Sequence, residues 1–136
     1  MTGAIILPPY ARGLGFEIDH WDDGVPVLGC DFGPRVLGRP GFWHGGAISG
    51  LLEMAAVAAV HAALKPDEEG ERRTLKPVNV TVQFLRGGLE KRLFAIGRVI
   101  REGRRLANVS AEAWQDDRSR PVAMAQLHVM IGAPSV

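Results

Sequence analysis

A chain of 136 residues with 46% hydrophobic and 23% charged side chains is expected to form one domain over residues 1–136, and it lacks the polar, charge-rich composition of a disordered protein. Sixteen basic and fifteen acidic residues leave a formal charge of +1, which excludes the broad basic field of a nucleic-acid or membrane-surface binder. The single cysteine, Cys30, cannot form an internal disulfide, and the histidines His20, His44, His61 and His128 lack metal-site spacing, so a reducing, cytoplasmic setting without a metal is expected.

In chain order, Met1 to Tyr10 holds the apolar run Ala4-Ile5-Ile6-Leu7 with no preceding basic residue and stops at Pro8-Pro9, a poor signal peptide. After this irregular lead, Leu14 to His20 and Val25 to Phe32 read as strands around the turn Asp22-Asp23-Gly24. Gly38 to Gly41 breaks the chain. Ala47 to Leu64 then has no proline and one glycine, and as a helix it would be about 27 Å long. That length could cross a membrane, but Glu53, His61 and the many alanines point to a buried core helix instead.

Lys65 to Arg73 is a polar loop, and beyond it the period changes to two. In Val78 to Leu85, the apolar Val78, Val80, Val82 and Phe84 alternate with Asn79, Thr81 and Gln83, the pattern of a half-buried antiparallel strand. Leu93 to Arg101 and Leu106 to Trp114 form a hairpin through Glu102-Gly103-Arg104, with the small residues Ala107, Val109, Ala111 and Ala113 on one face of the second strand. Val122 to Ile131 closes the series. Two strands, a helix and four strands on short connections imply an α+β fold with a curved antiparallel sheet around one long central helix. A helix apolar nearly all round must be covered on most sides, by the sheet and by an edge strand or a second subunit.

The chemistry concentrates in Trp43-His44-Gly45-Gly46-Ala47-Ile48-Ser49-Gly50-Leu51-Leu52-Glu53. Glycines at a helix start let a ligand approach unpaired N–H groups, where the helix dipole favours a developing oxyanion. Glu53 lies seven residues beyond Gly46, on nearly the same face, and a carboxylate is costly to bury on an apolar helix. Glu53 on a wet side of the helix, His44 as a backbone-bonded helix-start residue and the glycine pair as a packing device are the plainer readings of the same residues.

The pattern His44-Gly45-Gly46, six residues and then Glu53 resembles the phenylacetate-pathway branch of the hotdog acyl-CoA thioesterases. Val80-Thr81-Val82-Gln83-Phe84-Leu85-Arg86 and Gly103-Arg104-Arg105-Leu106-Ala107 resemble further segments of that family, so the likeness runs from Leu14 to Gly132. It implies a hotdog fold, a homodimer or dimer of dimers (homotetramer) with sites at the dimer interface, and an acyl-CoA substrate with no cofactor beyond the coenzyme A it carries. It also implies that the Gly45 amide polarises the thioester carbonyl, that Glu53 of the partner subunit activates water or attacks directly, and that His44 supports the helix start.

The chain departs from the family pattern in carrying Glu53 where many members have aspartate, and Gly38 where several have Asn or Gln. Besides Gly46, the candidates for substrate binding are Arg86, Arg104 and Arg105, since fixed cations at strand ends suit the phosphates of coenzyme A; Arg101 is a further candidate. Ser49 lies inside the helix without a Gly-x-Ser-x-Gly motif, and Cys30 reads as buried packing. Alternatives are a hotdog enoyl-CoA hydratase or dehydratase and a non-catalytic acyl-CoA binding module.

Overall fold

The computed structural model describes residues 5–64 and 73–134. Its elements are α1 (Pro9–Leu14), β1 (Glu17–Asp22), β2 (Val25–Cys30), a 3-10 turn (Pro34–Val36), α2 (Gly45–Ala63), β3 (Arg73–Phe84), β4 (Leu93–Glu102), β5 (Leu106–Trp114) and β6 (Ala123–Pro134). The six strands form one antiparallel sheet in the order β1-β2-β4-β5-β6-β3, with α2 against its inner face. Of the polar loop expected over 65–73, residues 65–72 lie outside the described residues, and Arg73 opens β3.

The predicted alternation holds where the sheet is deepest. Ala107, Val109, Ala111 and Ala113 of β5 and Ala123, Ala125, Leu127, Val129 and Ile131 of β6 are buried against α2. Small side chains on that face let the helix sit close. The approach is tightest at Gly97 of β4, where an added Cβ would lie 2.7 Å from both the Ala55 carbonyl oxygen and the Ala56 Cα. Long and apolar enough to span a bilayer, α2 is thus the core helix of a sheet-wrapped domain.

Local chemistry explains the ends of the elements. Asp23 (φ 51°) and Gly24 (φ 80°) supply the two left-handed residues of a type I′ hairpin turn between β1 and β2. The chain before β1 is a short helix rather than an irregular lead. Pro9 at its first turn and Gly15 (φ 87°) beyond its last supply the start and stop, and the Gly15 N–H caps the Ala11 and Arg12 carbonyls. The first strand consequently begins at Glu17 instead of Leu14.

The sheet's two edges differ. β1 is short and carries Glu17, Asp19, His20 and Asp22, with Asp19 and Asp31 held by Arg92 at 2.9 and 3.0 Å. Short charged edges resist further pairing. β3 has twelve residues and pairs only with β6. Its first half is blunted by Pro77 and by a bulge between Pro77 and Asn79. Val80, Val82 and Phe84 share the inner face in register with Leu127, Ala125 and Ala123, yet Phe84 is 55% exposed and Val80 38%. The predicted apolar face of this strand is therefore largely uncovered in one protomer, because β3 is at the sheet edge and α2 reaches only part of it.

Candidate active site

The first four amides of an α-helix need acceptors from outside its own ladder. At the start of α2, the His44 N–H donates to the Val36 carbonyl (2.7 Å), the Gly46 N–H to His44 Nδ1 (2.8 Å) and the Ala47 N–H to the His44 carbonyl (3.0 Å). The Gly45 N–H donates to nothing among the described residues. His44 is the N-cap, and acceptance at Nδ1 leaves its ring proton on Nε2. The result is one free donor at the positive end of a 19-residue helix.

The two adjacent glycines have different reasons to be glycine. A Cβ at Gly46 would lie 2.9 Å from the His44 ring and displace the cap. A Cβ at Gly45 would meet only the Phe84 ring, at 3.5 and 3.6 Å, an ordinary contact. Packing within the protomer therefore does not require glycine at 45, and its bare Cα lines a cavity of about 500 Å³ with His44, Ile48, Phe84 and Arg86. Gly38 is different again, because any side chain there would come within 2.9 Å of the His44 Cα. The polar residue that the family resemblance leads one to expect at position 38 has no room beside this helix start.

Glu53 lies on the one stripe of α2 that the sheet leaves half-open, with Ser49, Val57 and His61. It lines a second cavity of about 260 Å³ with Met54, Val57, His61, Leu75 and the Ile5–Pro8 segment. Its carboxylate accepts no hydrogen bond and pairs with no cation among the described residues. Beside it stands a residue not singled out from the sequence. α1 lays the Tyr10 hydroxyl on the bare backbone of Gly50, one turn before Glu53. The Pro9 and Gly15 helix signals could have located α1, but not this contact across forty residues.

Of the predicted residues, His44, Gly45 and Arg86 come together around the first cavity, where Arg86 Nε also donates to the Pro121 carbonyl at 3.0 Å. Gly46 adjoins them as the cap's donor. Glu53 stands eight residues along, roughly 12 Å down the helix axis from Gly45. Arg104 and Arg105, at the tip of the β4–β5 hairpin, line an open depression beside Leu64 and Arg73 at the opposite end of α2. Arg101 lies on β4, exposed. No group of three or more His, Cys, Asp and Glu side chains that could hold a metal ion occurs among the described residues.

Cys30 is buried, and its thiol points at the Leu14 and Asp31 carbonyls, both at 3.4 Å. Burial, aided by the charges of Asp31 and Glu17 and opposed by Arg92, pushes the thiol up to about 11. The thiolate, not the thiol, reacts with electrophiles. Iodoacetamide at pH 8 should therefore leave the native protein unlabelled and label it stoichiometrically in denaturant, as read by intact mass; rapid native labelling would contradict a buried thiol.

Residues 36–130 match the model of the acyl-CoA thioesterase N-terminal domain. The medium/long-chain acyl-CoA thioesterase YigI of Salmonella typhimurium is 25% identical over 134 residues, covering 91% of this chain and 86% of YigI. A phenylacetic acid degradation-related protein of Ralstonia eutropha superposes with a TM-score of 0.76 at 26% identity, over 93% of this chain and 92% of that one. A thioesterase family protein of Silicibacter pomeroyi gives 0.79 at 24% identity, over 93% and 90%, and supports the fold. With its helix-wrapping antiparallel sheet and its match across most of the chain, this protein belongs to the acyl-CoA thioesterase family, thioester hydrolases of the hotdog fold.

Proposed function

We propose that the chain hydrolyses an acyl-CoA thioester to free acid and coenzyme A at a site shared by two protomers, where Gly45 of one polarises the thioester carbonyl and Glu53 of the other activates the attacking water. The observation that carries this reading is the Gly45 amide, the single unpaired donor at the start of α2, on a residue whose missing side chain packing does not explain. A preorganised N–H aimed at the carbonyl oxygen is worth most where charge develops in the transition state. Water needs a base on the other side of the carbonyl carbon, and Glu53, uncompensated on an apolar helix, suits that role. The same carboxylate could instead attack the carbonyl carbon and form an acyl-enzyme.

Distance supports placing the two groups on different protomers. Groups roughly 12 Å apart along one helix cannot both reach one carbonyl. The open β3 edge, with Val80 and Phe84 exposed, gives a second subunit a surface to cover. In the pair, Arg86 stands beside the carbonyl-binding end and Arg104 and Arg105 lie farther away, where they would hold phosphates of coenzyme A. The lone, buried Cys30 suits a cytoplasmic setting.

The test is thiol release from acyl-CoAs of graded length and aromaticity, with Glu53→Gln alongside. Turnover by the wild type and its loss in the variant are expected. Tight acyl-CoA binding without turnover would point to a binding module, and enoyl-CoA hydration without thiol release to a hydratase. Independently, Val80→Lys should convert a dimer into a monomer in sedimentation velocity and abolish thiol release, since it places a charge in the middle of the open edge. A dimeric, active Val80→Lys protein would remove β3 from the interface.

A further inference from the structure

Beside the half-open stripe of α2, α1 places a polar group that the proposed chemistry has not used. Tyr10 is 51% exposed, its ring meets Phe16 edge-on at a centroid distance of 6.1 Å, and its hydroxyl rests on Gly50 so closely that a Cβ there would collide with it. Glycine inside a helix costs about 1 kcal/mol relative to alanine, so α2 gives up stability at the one place where the hydroxyl lands. That hydroxyl has no hydrogen-bond partner among the described residues. A contact made only for packing would not need an oxygen there.

Position places the group beside Glu53. Gly50 precedes Glu53 by three residues, one turn on the same face, and helical side chains lean back toward the preceding turn. The Tyr10 oxygen therefore sits one helical turn from Glu53, on the same side of α2. Burial first, and then the negative charge of Glu53, push the Tyr10 phenol above the ordinary tyrosine range, so it is a neutral hydroxyl at physiological pH.

We infer that Tyr10 is a positioning residue of the Glu53 site, its hydroxyl oxygen accepting one hydrogen of the water whose other hydrogen bonds to Glu53. The inference rests on Glu53 acting as general base. Held by two acceptors, the water turns a lone pair away from both, toward the thioester carbon. Its oxygen bonds to that carbon as its proton passes to Glu53; the C–S bond then breaks, and the departing coenzyme A thiolate takes the proton back. Tyr10 is unchanged through the cycle and sets only the direction of attack.

The test uses the full chain in its assembled state, with thiol release as the readout. Tyr10→Phe keeps the ring and removes a hydroxyl with no hydrogen-bond partner among the described residues, so Tm should not move. kcat should fall about tenfold with KM within about twofold, as for one lost hydrogen bond that orients a reactant. Gly50→Ala, which pushes the hydroxyl from its seat, should lower kcat by a similar factor in the wild type and change it less than about twofold in the Tyr10→Phe background. A purely structural contact would instead shift Tm and leave kcat alone. If Glu53→Gln is inactive while Tyr10→Phe keeps full kcat, or if Gly50→Ala costs the same in both backgrounds, the role given to Tyr10 is overturned and that of Glu53 stands. If Glu53→Gln keeps its activity, the general-base reading falls and takes this inference with it.

Discussion

Glu53→Gln should lower kcat for thiol release by about 10²–10⁴, the range for loss of a positioned general base, without lowering the melting temperature. Glutamine keeps the shape of the side chain and removes the charge and the basic lone pair. Were Glu53 only the wet residue of a core helix, the substitution would leave turnover unchanged. The thermal result is as informative as the kinetic one, because the carboxylate has no hydrogen bond and no ion pair among the described residues. A half-buried charge without a partner costs stability, so its neutralisation should hold Tm level or raise it. Reduced turnover with undiminished stability is the signature of a group kept for chemistry at some expense to the fold. Steady-state kinetics and a melting curve on one preparation check both halves.

Gly97→Val should have the largest effect on stability. The added Cβ would sit 2.7 Å from the Ala55 oxygen and the Ala56 Cα and 2.9 Å from the Ala59 Cβ. Two of those atoms are helix backbone, which cannot swing aside as a flexible side chain can. Overpacking a tight core typically costs 1–3 kcal/mol, and a collision with backbone belongs at or above the top of that range, so a loss of about 3 kcal/mol or more is expected. Urea unfolding should show a lower midpoint, or the protein should fail to accumulate in soluble form. Gly13→Ala is the control, since its methyl meets nothing within 4 Å and it lies in a helix, where alanine is favoured over glycine. A Gly97→Val midpoint equal to that of the wild type would mean that the helix does not sit this close to the sheet.

Much of this architecture can be read from residue order. Ala107 to Ala113 and Ala123 to Ile131 alternate because one face of each strand meets α2, and Asp23-Gly24 marks its hairpin because few other pairs adopt two left-handed residues cheaply. Six residues are too few to show a period, so only the Pro9 start and the Gly15 stop mark α1 in the sequence. The inner face of β3 is apolar in sequence and only partly covered in the protomer, because strand order, not strand pattern, decides which strand lies at an edge.

The site divides in the same way. Glu53 stands out as a lone carboxylate on an apolar helix, and the glycine pair marks the helix start. That Gly46 serves the cap while Gly45 is open depends on which atoms a Cβ would meet. Arg86 and the Arg104-Arg105 pair look alike in sequence and lie at opposite ends of α2 because β4 carries the chain the length of the sheet between them. Gly38 looks like a missing polar group until the His44 backbone is found in the space a side chain would need.

The unlike edges of the sheet also limit how far association can go. In the dimer proposed above, if two copies join through their β3 strands about a two-fold axis, each uses its open edge, and both outer edges of the joined sheet are the charged β1. Such a pair is self-terminating along the hydrogen-bonding direction: it closes at twelve strands and offers no template for a thirteenth. A chain with two open edges would seed filaments, whereas a pair joined in this way would grow only by stacking faces.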